Sequence, residues 1–244
     1  MTTLERIRKK FHEGCADYGL LADGDRVLVA LSGGKDSLLL ARLLAERSRL
    51  HKPRISVEAA HVIMDNIPYE TERTYLQDYC ADLGIPLHIL HSRFDDEDAT
   101  AETSRDRRRR KTKCFLCSWN RRKALFQFAE AQGFNKIALG HHQDDILTTW
   151  LMNLTFEGQN DTMRPLVAME HYPLSIIRPL CLVHEEWIRE VAATEGFEHQ
   201  KTPCPYETVT RRNDMNRIFH ELQALNPEAR FCLWRALGLK PITE

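Results

Sequence analysis

The stretch "RVLVALSGGKDSLLLARLLAERS", residues Arg26 to Ser48, decides the fold. Its first six residues include β-branched and apolar side chains typical of a buried strand, and the leucines after Ser37 favour a helix. Two glycines, Gly33 and Gly34, stand between the two segments. A strand that turns through glycines into a helix offers unpaired backbone N–H groups and the positive end of a helix dipole to an anion. The stretch therefore predicts a phosphate-binding turn in an α/β protein.

The rest of the chain alternates between strand-like and helix-like segments. The strand-like segments cover residues 26–31, 55–64, 86–92, 136–140 and 175–180, and the helix after the charged stretch is predicted to begin at Arg121. Strands separated by helices of about ten to fifteen residues predict a doubly wound, mostly parallel sheet, here with five strands and a Rossmann-like arrangement. We expect an N-terminal helix packed on the core (1–24), a nucleotide-binding domain (25–206) and a C-terminal helical tail (207–244).

Composition restricts the class of protein. The chain is 43% hydrophobic and 28% charged, which is ordinary for a soluble globular protein. No apolar run approaches the roughly eighteen residues of a membrane span, and the first residues lack the apolar centre of a secretory signal. Seven cysteines without framework spacing fit a reducing compartment better than a disulfide scaffold. We expect a cytoplasmic protein without a membrane association.

Positive charge is concentrated in one segment, although the net charge of the chain is only −1. Ten lysines and arginines lie between Arg105 and Lys123, against the single acidic residue Asp106. A basic strip on a nearly neutral protein indicates that a polyanion is met at one place. The alternative is a solvated helix face.

The phosphate turn carries side chains suited to a nucleotide. Ser32 and Ser37 add hydroxyl donors and Lys35 adds a positive charge, while Asp36 suits an anion site only if magnesium bridges its carboxylate to a phosphate. The glycine spacing is neither that of the Walker loop nor Gly-x-Gly-x-x-Gly.

A second motif, "GHHQDD", covers residues 140–145 after the fourth predicted strand. Its side chains are expected at the carboxyl edge of the sheet, where open α/β folds bind ligands. Asp144 or Asp145 is a candidate to hold magnesium with Asp36, or to cap the next helix. His141 and His142 are candidate phosphate donors or ordinary polar residues.

The segment Leu31 to Ser37 resembles the PP-loop of the adenine-nucleotide α-hydrolases, whose pattern is Ser-Gly-Gly-x-Asp-Ser. "GHHQDD" resembles the second signature of these PP-loop ATP pyrophosphatases, and "IIRPL" (176–180) their fifth-strand motif. The resemblance implies cleavage of ATP to AMP and pyrophosphate, which activates a carbonyl oxygen by adenylation, with Lys35 and Asp36 catalytic and magnesium at Asp36, Asp144 and Asp145. The implied ATP contacts are Leu31, Ser32, Gly33, Gly34, Lys35, Asp36, Ser37, Val62, Met64, Gly140, His141 and Asp145; for Val62 and Met64 a core role is equally open.

The segment "KTKCFLCSWNRRK" (111–123) contains a Cys-x-x-Cys pair, Cys114 and Cys117. A thioredoxin-like dithiol would occupy the place that the phosphate turn holds, and a structural zinc site usually needs two such pairs. Cys204, between two prolines in "TPCPYE", is in a rigid setting that suits a ligand. Three thiolates would leave one iron of a [4Fe–4S] cluster open to exogenous sulfide. Zinc completed by His199 and unligated cysteines remain alternatives; Cys15, Cys80 and Cys232 are interpreted as core residues.

A PP-loop, a central "CFLCSWNRR" and a later "PC" together resemble the tRNA 2-thiocytidine synthetases. The resemblance implies a [4Fe–4S] cluster on Cys114, Cys117 and Cys204, with Cys114 and Cys117 catalytic. It also implies thiolation of cytidine 32 in the tRNA anticodon loop with ATP, Mg²⁺ and sulfur from a cysteine desulfurase. A homodimer is the oligomeric state considered for this chain. Glu207 stands where some relatives have a further cysteine. A persulfide on the Cys-x-x-Cys pair, 2-thiouridine synthesis and a PP-loop ligase remain open alternatives.

Overall fold

A mostly parallel six-stranded sheet forms the centre of the computed structural model, which describes residues 1–67, 73–94, 113–197 and 211–239. The strand order is β3-β2-β1-β4-β6-β5, and β5 alone runs antiparallel to its neighbour. The strands are β1 (Asp25–Ala30), β2 (Ile55–Met64), β3 (Leu87–Ser92), β4 (Lys136–Ala138), β5 (Leu166–Ala168) and β6 (Ser175–Ile177).

Helices cover the sheet on both faces, as expected for a doubly wound fold. They are α1 (Thr3–Asp17), α2 (Lys35–Ser48), α3 (Arg73–Leu83), α4 (Lys113–Ala131), α5 (Gln143–Met152), α6 (Glu185–Thr194), α7 (Arg211–Leu225) and α8 (Ala229–Ala236), with a π-helical turn at Asn153–Glu157. In the described part of the chain no helix is both long and apolar enough to cross a membrane.

The predicted α/β class is confirmed, but the number of strands is six rather than five. The extra strand β5 has only three residues, and two of them, Leu166 and Ala168, are exposed at the edge of the sheet. A strand this short carries no alternating pattern that a sequence could reveal. The fifth predicted strand corresponds to β6.

The predicted N-terminal helix is present as α1. Its start is fixed by a capping box, in which Thr2 and Glu5 exchange side-chain and backbone hydrogen bonds. Ile7 and Phe11 are fully buried in the core cluster that lies against α2 and α6. Burial of this apolar stripe holds α1 on the sheet domain.

The two C-terminal helices pack on the helix of the second motif. Ile146 and Leu147 of α5 form one buried cluster with Phe219 of α7 and Trp234 of α8. The aromatic side chains of Phe219 and Trp234 are almost fully buried, each 1% exposed. The predicted helical tail therefore lies directly behind the "GHHQDD" segment.

Candidate nucleotide site and cysteine helix

The phosphate turn has the geometry of an anion-binding helix start. Gly33 has φ of 87°, a conformation that side chains with a Cβ rarely adopt. Ser37 Oγ accepts a hydrogen bond from the N–H of Ser32 over 3.2 Å and lies 3.0 Å from Ser32 Oγ. Among the described residues no side chain caps the N-terminus of α2 at Gly34. The hydroxyls hold the turn in shape, and the helix start without a side-chain cap is suited to receive an anion.

Gly140 brings the second motif against this turn. A Cβ at Gly140 would lie 3.1 Å from both the carbonyl carbon of Asp36 and the nitrogen of Ser37. This distance is tighter than nine in ten Cβ contacts in real structures, so a side chain here would require the backbone of α2 to shift by a few tenths of an ångström. Glycine at this position therefore lets the end of β4 touch the first turn of α2.

Lys35 lies between two carboxylates. Its Nζ is 3.2 Å from Asp36 Oδ1 and 3.2 Å from Glu185 Oε1. Burial alone would lower the pKa of Lys35, but the charges of Asp36 and Glu185 outweigh it and raise the pKa above its usual value. Glu185, the first residue of α6, was not anticipated from the sequence; its only signal is an acidic residue at a helix start.

Asp36 presents an oxygen suited to a cation. Its Oδ1 is buried and accepts no hydrogen bond from the described residues, although the Lys35 ammonium lies 3.2 Å away. Buried carboxylate oxygens ordinarily have a donor or an ion, and carboxylate oxygen is a preferred Mg²⁺ ligand. The donor set at Asp36 therefore fits a magnesium ion shared with a phosphate.

His142 and Asp145 fix the start of α5 through a capping box. The His142 Nδ1 accepts from the Asp145 N–H over 3.3 Å, and Asp145 Oδ2 accepts from the His142 N–H over 3.2 Å. The His142 Nε2 is 3.4 Å from Asp145 Oδ2 and 3.9 Å from Asp36 Oδ1. The imidazole therefore lies between two of the three carboxylates selected as magnesium ligands.

Asp144 has a different environment. Its Oδ1 accepts from Arg230 Nη2 over 2.7 Å, and its Oδ2 accepts from the backbone N–H of Glu185 over 2.9 Å. Burial would raise the pKa of this carboxyl, but Arg230 and the backbone N–H bond hold it below its usual value. Both oxygens accept hydrogen bonds from the protein, so the geometry favours Asp36, whose Oδ1 accepts none from the described residues, over Asp144 as a cation ligand.

His141 is a neutral donor candidate. Its Nδ1 accepts from Arg178 Nε over 3.2 Å, so the proton of the neutral ring lies on Nε2. Burial lowers the pKa of His141 to about 4 against the opposing charge of Asp145. Arg178 belongs to "IIRPL", yet its contact with His141 was not anticipated, because the two residues are 37 positions apart.

A small cavity of about 80 Å³ lies beside the turn, lined by Leu31, Ser32, His61, Val62 and Arg121 among others. His61 was not selected from the sequence; its Nδ1 lies 2.7 Å from the Leu31 carbonyl oxygen and bonds β2 to the turn. Val62 also lines the cavity, and its contact with adenosine stays a prediction. Met64 is buried in the core cluster beneath α4 and does not line the cavity.

The helix α4 carries the cysteine pair toward this cavity. It begins at Lys113, eight residues before the predicted helical start at Arg121, so Cys114 and Cys117 lie in its first two turns. At 100° per residue these cysteines share one face with Arg121 and Leu125, which line the cavity. Cys114 is exposed and Cys117 half-buried. The pair therefore lies on the face of α4 whose later residues line the cavity beside the phosphate turn.

The remaining cysteines are only partly as predicted. Cys15 and Cys80 are buried, but Cys232 is exposed on α8 and is not a core residue. Cys204, its alternative partner His199 and most of the basic strip lie outside the described residues. Within the described ranges no three His, Cys, Asp or Glu side chains are grouped closely enough to hold a metal ion.

Known proteins resemble this chain in sequence over most of its length. The profile of the PP-loop domain family matches residues 3–222. The tRNA-cytidine(32) 2-sulfurtransferase of Bdellovibrio bacteriovorus is 36% identical over 192 residues, which cover 79% of this chain and 71% of that protein. The enzyme of the same name from Stenotrophomonas maltophilia is 37% identical, and the alignment covers 79% of this chain and 61% of that protein. The one from Sorangium cellulosum is 33% identical, and the alignment covers 98% of this chain and 82% of that protein. The aligned part of the chain thus spans less than two thirds of the Stenotrophomonas protein.

Solved structures share the fold. The U34-tRNA thiolase NcsA from Methanococcus maripaludis with its [4Fe–4S] cluster superposes with a TM-score of 0.75 at 23% identity, over 99% of this chain and 80% of that one. The NAD⁺ synthetase from Burkholderia pseudomallei superposes with a TM-score of 0.52 at 15% identity, over 98% of this chain and 88% of that one.

Proposed function

The chain belongs to the PP-loop domain family, and from this premise we propose that it is an ATP-dependent tRNA-cytidine 2-sulfurtransferase acting on cytidine 32. The observation that carries the proposal is the placement of the Cys-x-x-Cys pair. Cys114 and Cys117 share a face of α4 with Arg121, which lines the cavity beside the phosphate turn. An activated base and a sulfide held by a group that these thiolates ligate would therefore come together at one edge of the sheet.

The described residues supply the parts of an adenylation site. The turn Leu31–Gly34 and the start of α2 receive the phosphates of ATP, and Lys35 stabilises charge that develops on the leaving pyrophosphate. The neutral His141 donates a hydrogen bond from Nε2 to a phosphate oxygen of ATP. Asp36 and Asp145 would hold magnesium, which supplies charge neutralisation at the phosphates when bound.

The reaction joins two displacements. The C2 oxygen of cytidine attacks the α-phosphorus of ATP, and the bond to pyrophosphate breaks. Sulfide then supplies the electron pair for a new bond to C2 as the C2–O bond to AMP breaks, so the cytidine oxygen leaves with AMP. Lys35 and the N–H groups at the start of α2 act on the first displacement, because both face the phosphates.

The cysteine pair provides the type of ligand that an iron–sulfur group requires. Cysteine thiolates are the ligands that such clusters take, and the spacing of Cys114 and Cys117 on one helix face brings both sulfurs to one side. We propose Cys204 as the third ligand. A [4Fe–4S] cluster bound by these three thiolates would supply one iron with an open coordination position for sulfide.

The proposal includes partners beyond the nucleotide. The substrate is tRNA, the sulfur originates in a cysteine desulfurase, and the enzyme works in the reducing cytoplasm as a homodimer. The residues Lys113, Arg121, Arg122 and Lys123, which are at least partly exposed at the start of α4, support a polyanionic substrate.

Anaerobic purification followed by iron, sulfide and nucleoside analysis tests the proposal. We expect iron and sulfide in the wild type, and formation of AMP, pyrophosphate and 2-thiocytidine when ATP, sulfide and tRNA are supplied. Cys114→Ser should lower iron content and abolish 2-thiocytidine. Formation of 2-thiouridine instead, or of AMP and pyrophosphate in an iron-free protein that needs no sulfur, would contradict the proposal.

A further inference from the structure

A second face of α4 remains exposed although it is strongly aromatic. Phe115 is 47% and Trp119 55% exposed, and their rings are stacked 6.5 Å apart at an interplanar angle of 10°. Beside them lies a groove of about 350 Å³, called here the aromatic groove. Its walls include Trp119, Arg122, Lys123, Phe126, Met169 and Tyr172.

One wall of the groove is formed by residues at helical spacing along α4. Trp119, Arg122, Lys123 and Phe126 stand at i, i+3, i+4 and i+7, which places them along one side of α4. The loop between β5 and β6 forms the opposite wall, where the ring of Tyr172 lies 5.4 Å from that of Phe126. At 100° per residue this side is rotated by roughly 150° from the one that carries the cysteine pair.

The charge of the groove points to a polyanion. Arg122 and Lys123 are exposed cations, and no carboxylate lies among the described residues that line the groove. In the sequence, "RDRRRRK" (105–111) directly precedes α4. A second copy of this chain, docked here about a two-fold axis, would bring the cations of both copies into one contact, and like charges at an interface are unfavourable.

We propose that the aromatic groove binds unpaired nucleotides of the tRNA anticodon loop, with Trp119 stacking on a base and Arg122 and Lys123 contacting the flanking phosphates; this rests on the proposed function. Aromatic platforms between cations are the common means of holding single-stranded RNA, because every base has a face that stacks. Trp119 is two residues from Cys117, so the groove and the cysteine pair lie on the same helix, which is about 10 Å in diameter. One loop can therefore occupy the groove while its target base reaches the nucleotide site.

Binding of a fluorescent anticodon stem-loop RNA to the intact protein, measured without ATP, tests this inference. Trp119→Ala should weaken binding about tenfold, from the loss of one stacked base, and Trp119→Phe should restore most of it. Phe156→Ala, which removes an aromatic side chain that is 47% exposed outside the groove, should bind as the wild type does. The double variant Arg122→Gln/Lys123→Gln should reduce the slope of log affinity against log salt by roughly 1.4, since each single-strand phosphate contact contributes about 0.7.

The outcomes separate this inference from the proposed function. A wild type that fails to bind the RNA contradicts both. If the wild type binds and Trp119→Ala, shown to be folded by its unfolding transition, binds equally well, only the aromatic groove is excluded. If Trp119→Ala leaves RNA affinity unchanged and converts a dimer to a monomer in sedimentation, a second copy covers the groove and the inference is overturned.

Discussion

Arg230, in the last helix, donates a hydrogen bond of 2.7 Å to Oδ1 of Asp144, a residue of the second motif 86 positions earlier. The other oxygen of Asp144 accepts the N–H of Glu185, whose carboxylate lies 3.2 Å from Lys35 Nζ. The C-terminal helices are thereby connected to the phosphate turn through two charged contacts. These contacts hold the starts of α5 and α6 beside the proposed nucleotide site.

Replacing Arg230 with methionine is expected to destabilise the protein by about 3–5 kcal/mol, because it leaves the buried Asp144 carboxylate without its cationic partner. Urea unfolding measures the loss. Arg235→Met, on an exposed position of the same helix, is the matched control and should change the unfolding free energy little. Equal unfolding free energies of the two variants would show that the Arg230–Asp144 contact does not stabilise the fold.

Gly140→Ala is expected to weaken ATP binding while the sheet still forms. The added Cβ would meet the backbone of Asp36 and Ser37 at 3.1 Å, so the first turn of α2 must shift by a few tenths of an ångström and the phosphate turn changes shape. Isothermal titration with a non-hydrolysable ATP analogue measures the affinity, and far-ultraviolet circular dichroism confirms folding. Wild-type affinity in this variant would contradict the close packing of the two motifs.

Lys35→Met should lower the rate of AMP and pyrophosphate formation by about a hundredfold or more, since a positioned donor to developing charge contributes on this scale. Glu185→Gln should have a smaller effect, because the amide oxygen still accepts from Lys35. Glu186→Gln, at a 70% exposed side chain one residue further along, is the control and should react like the wild type. A Lys35→Met variant with unchanged AMP formation would exclude Lys35 from the chemistry.

Stability is expected to fall as the pH drops from about 6.5 toward 4. Burial lowers the pKa of His141 to about 4 and that of His184, which stacks on Trp187, to about 3. In this pH window the unfolded chain binds protons that the folded one does not, so the folded state loses stability with each step of acidification. His184→Asn should reduce this pH dependence, and His51→Asn, at an exposed loop position, should leave it unchanged. An identical dependence of the unfolding free energy on pH in His184→Asn and the wild type would contradict the assignment of this dependence to His184.

Local features of the site were predictable from the sequence. The turn at Gly33 and Gly34 is encoded by neighbouring residues, because a short apolar strand, two glycines and a leucine-rich helix leave few other conformations. The placement of His141 to Asp145 at the same edge follows from the general behaviour of parallel strands.

Features that depend on distant residues were not predictable. Glu185 and Arg230 reach the site only because α6 and α8 pack against α5, and no local pattern reports that packing. The start of α4 was predicted at Arg121 instead of Lys113, since charged residues and a cysteine pair dilute the apolar periodicity. The edge strand β5 was missed because three residues, two of them exposed, carry no pattern.

The content of 2-thiocytidine in bulk tRNA, measured by mass spectrometry of nucleosides, tests the central claim most directly. A strain that lacks this gene should have no 2-thiocytidine. Wild type and Cys232→Ser, which changes an exposed cysteine outside the site, should restore it, whereas Cys114→Ser should not. Unchanged 2-thiocytidine in the deletion strain, or full restoration by Cys114→Ser, would contradict the account.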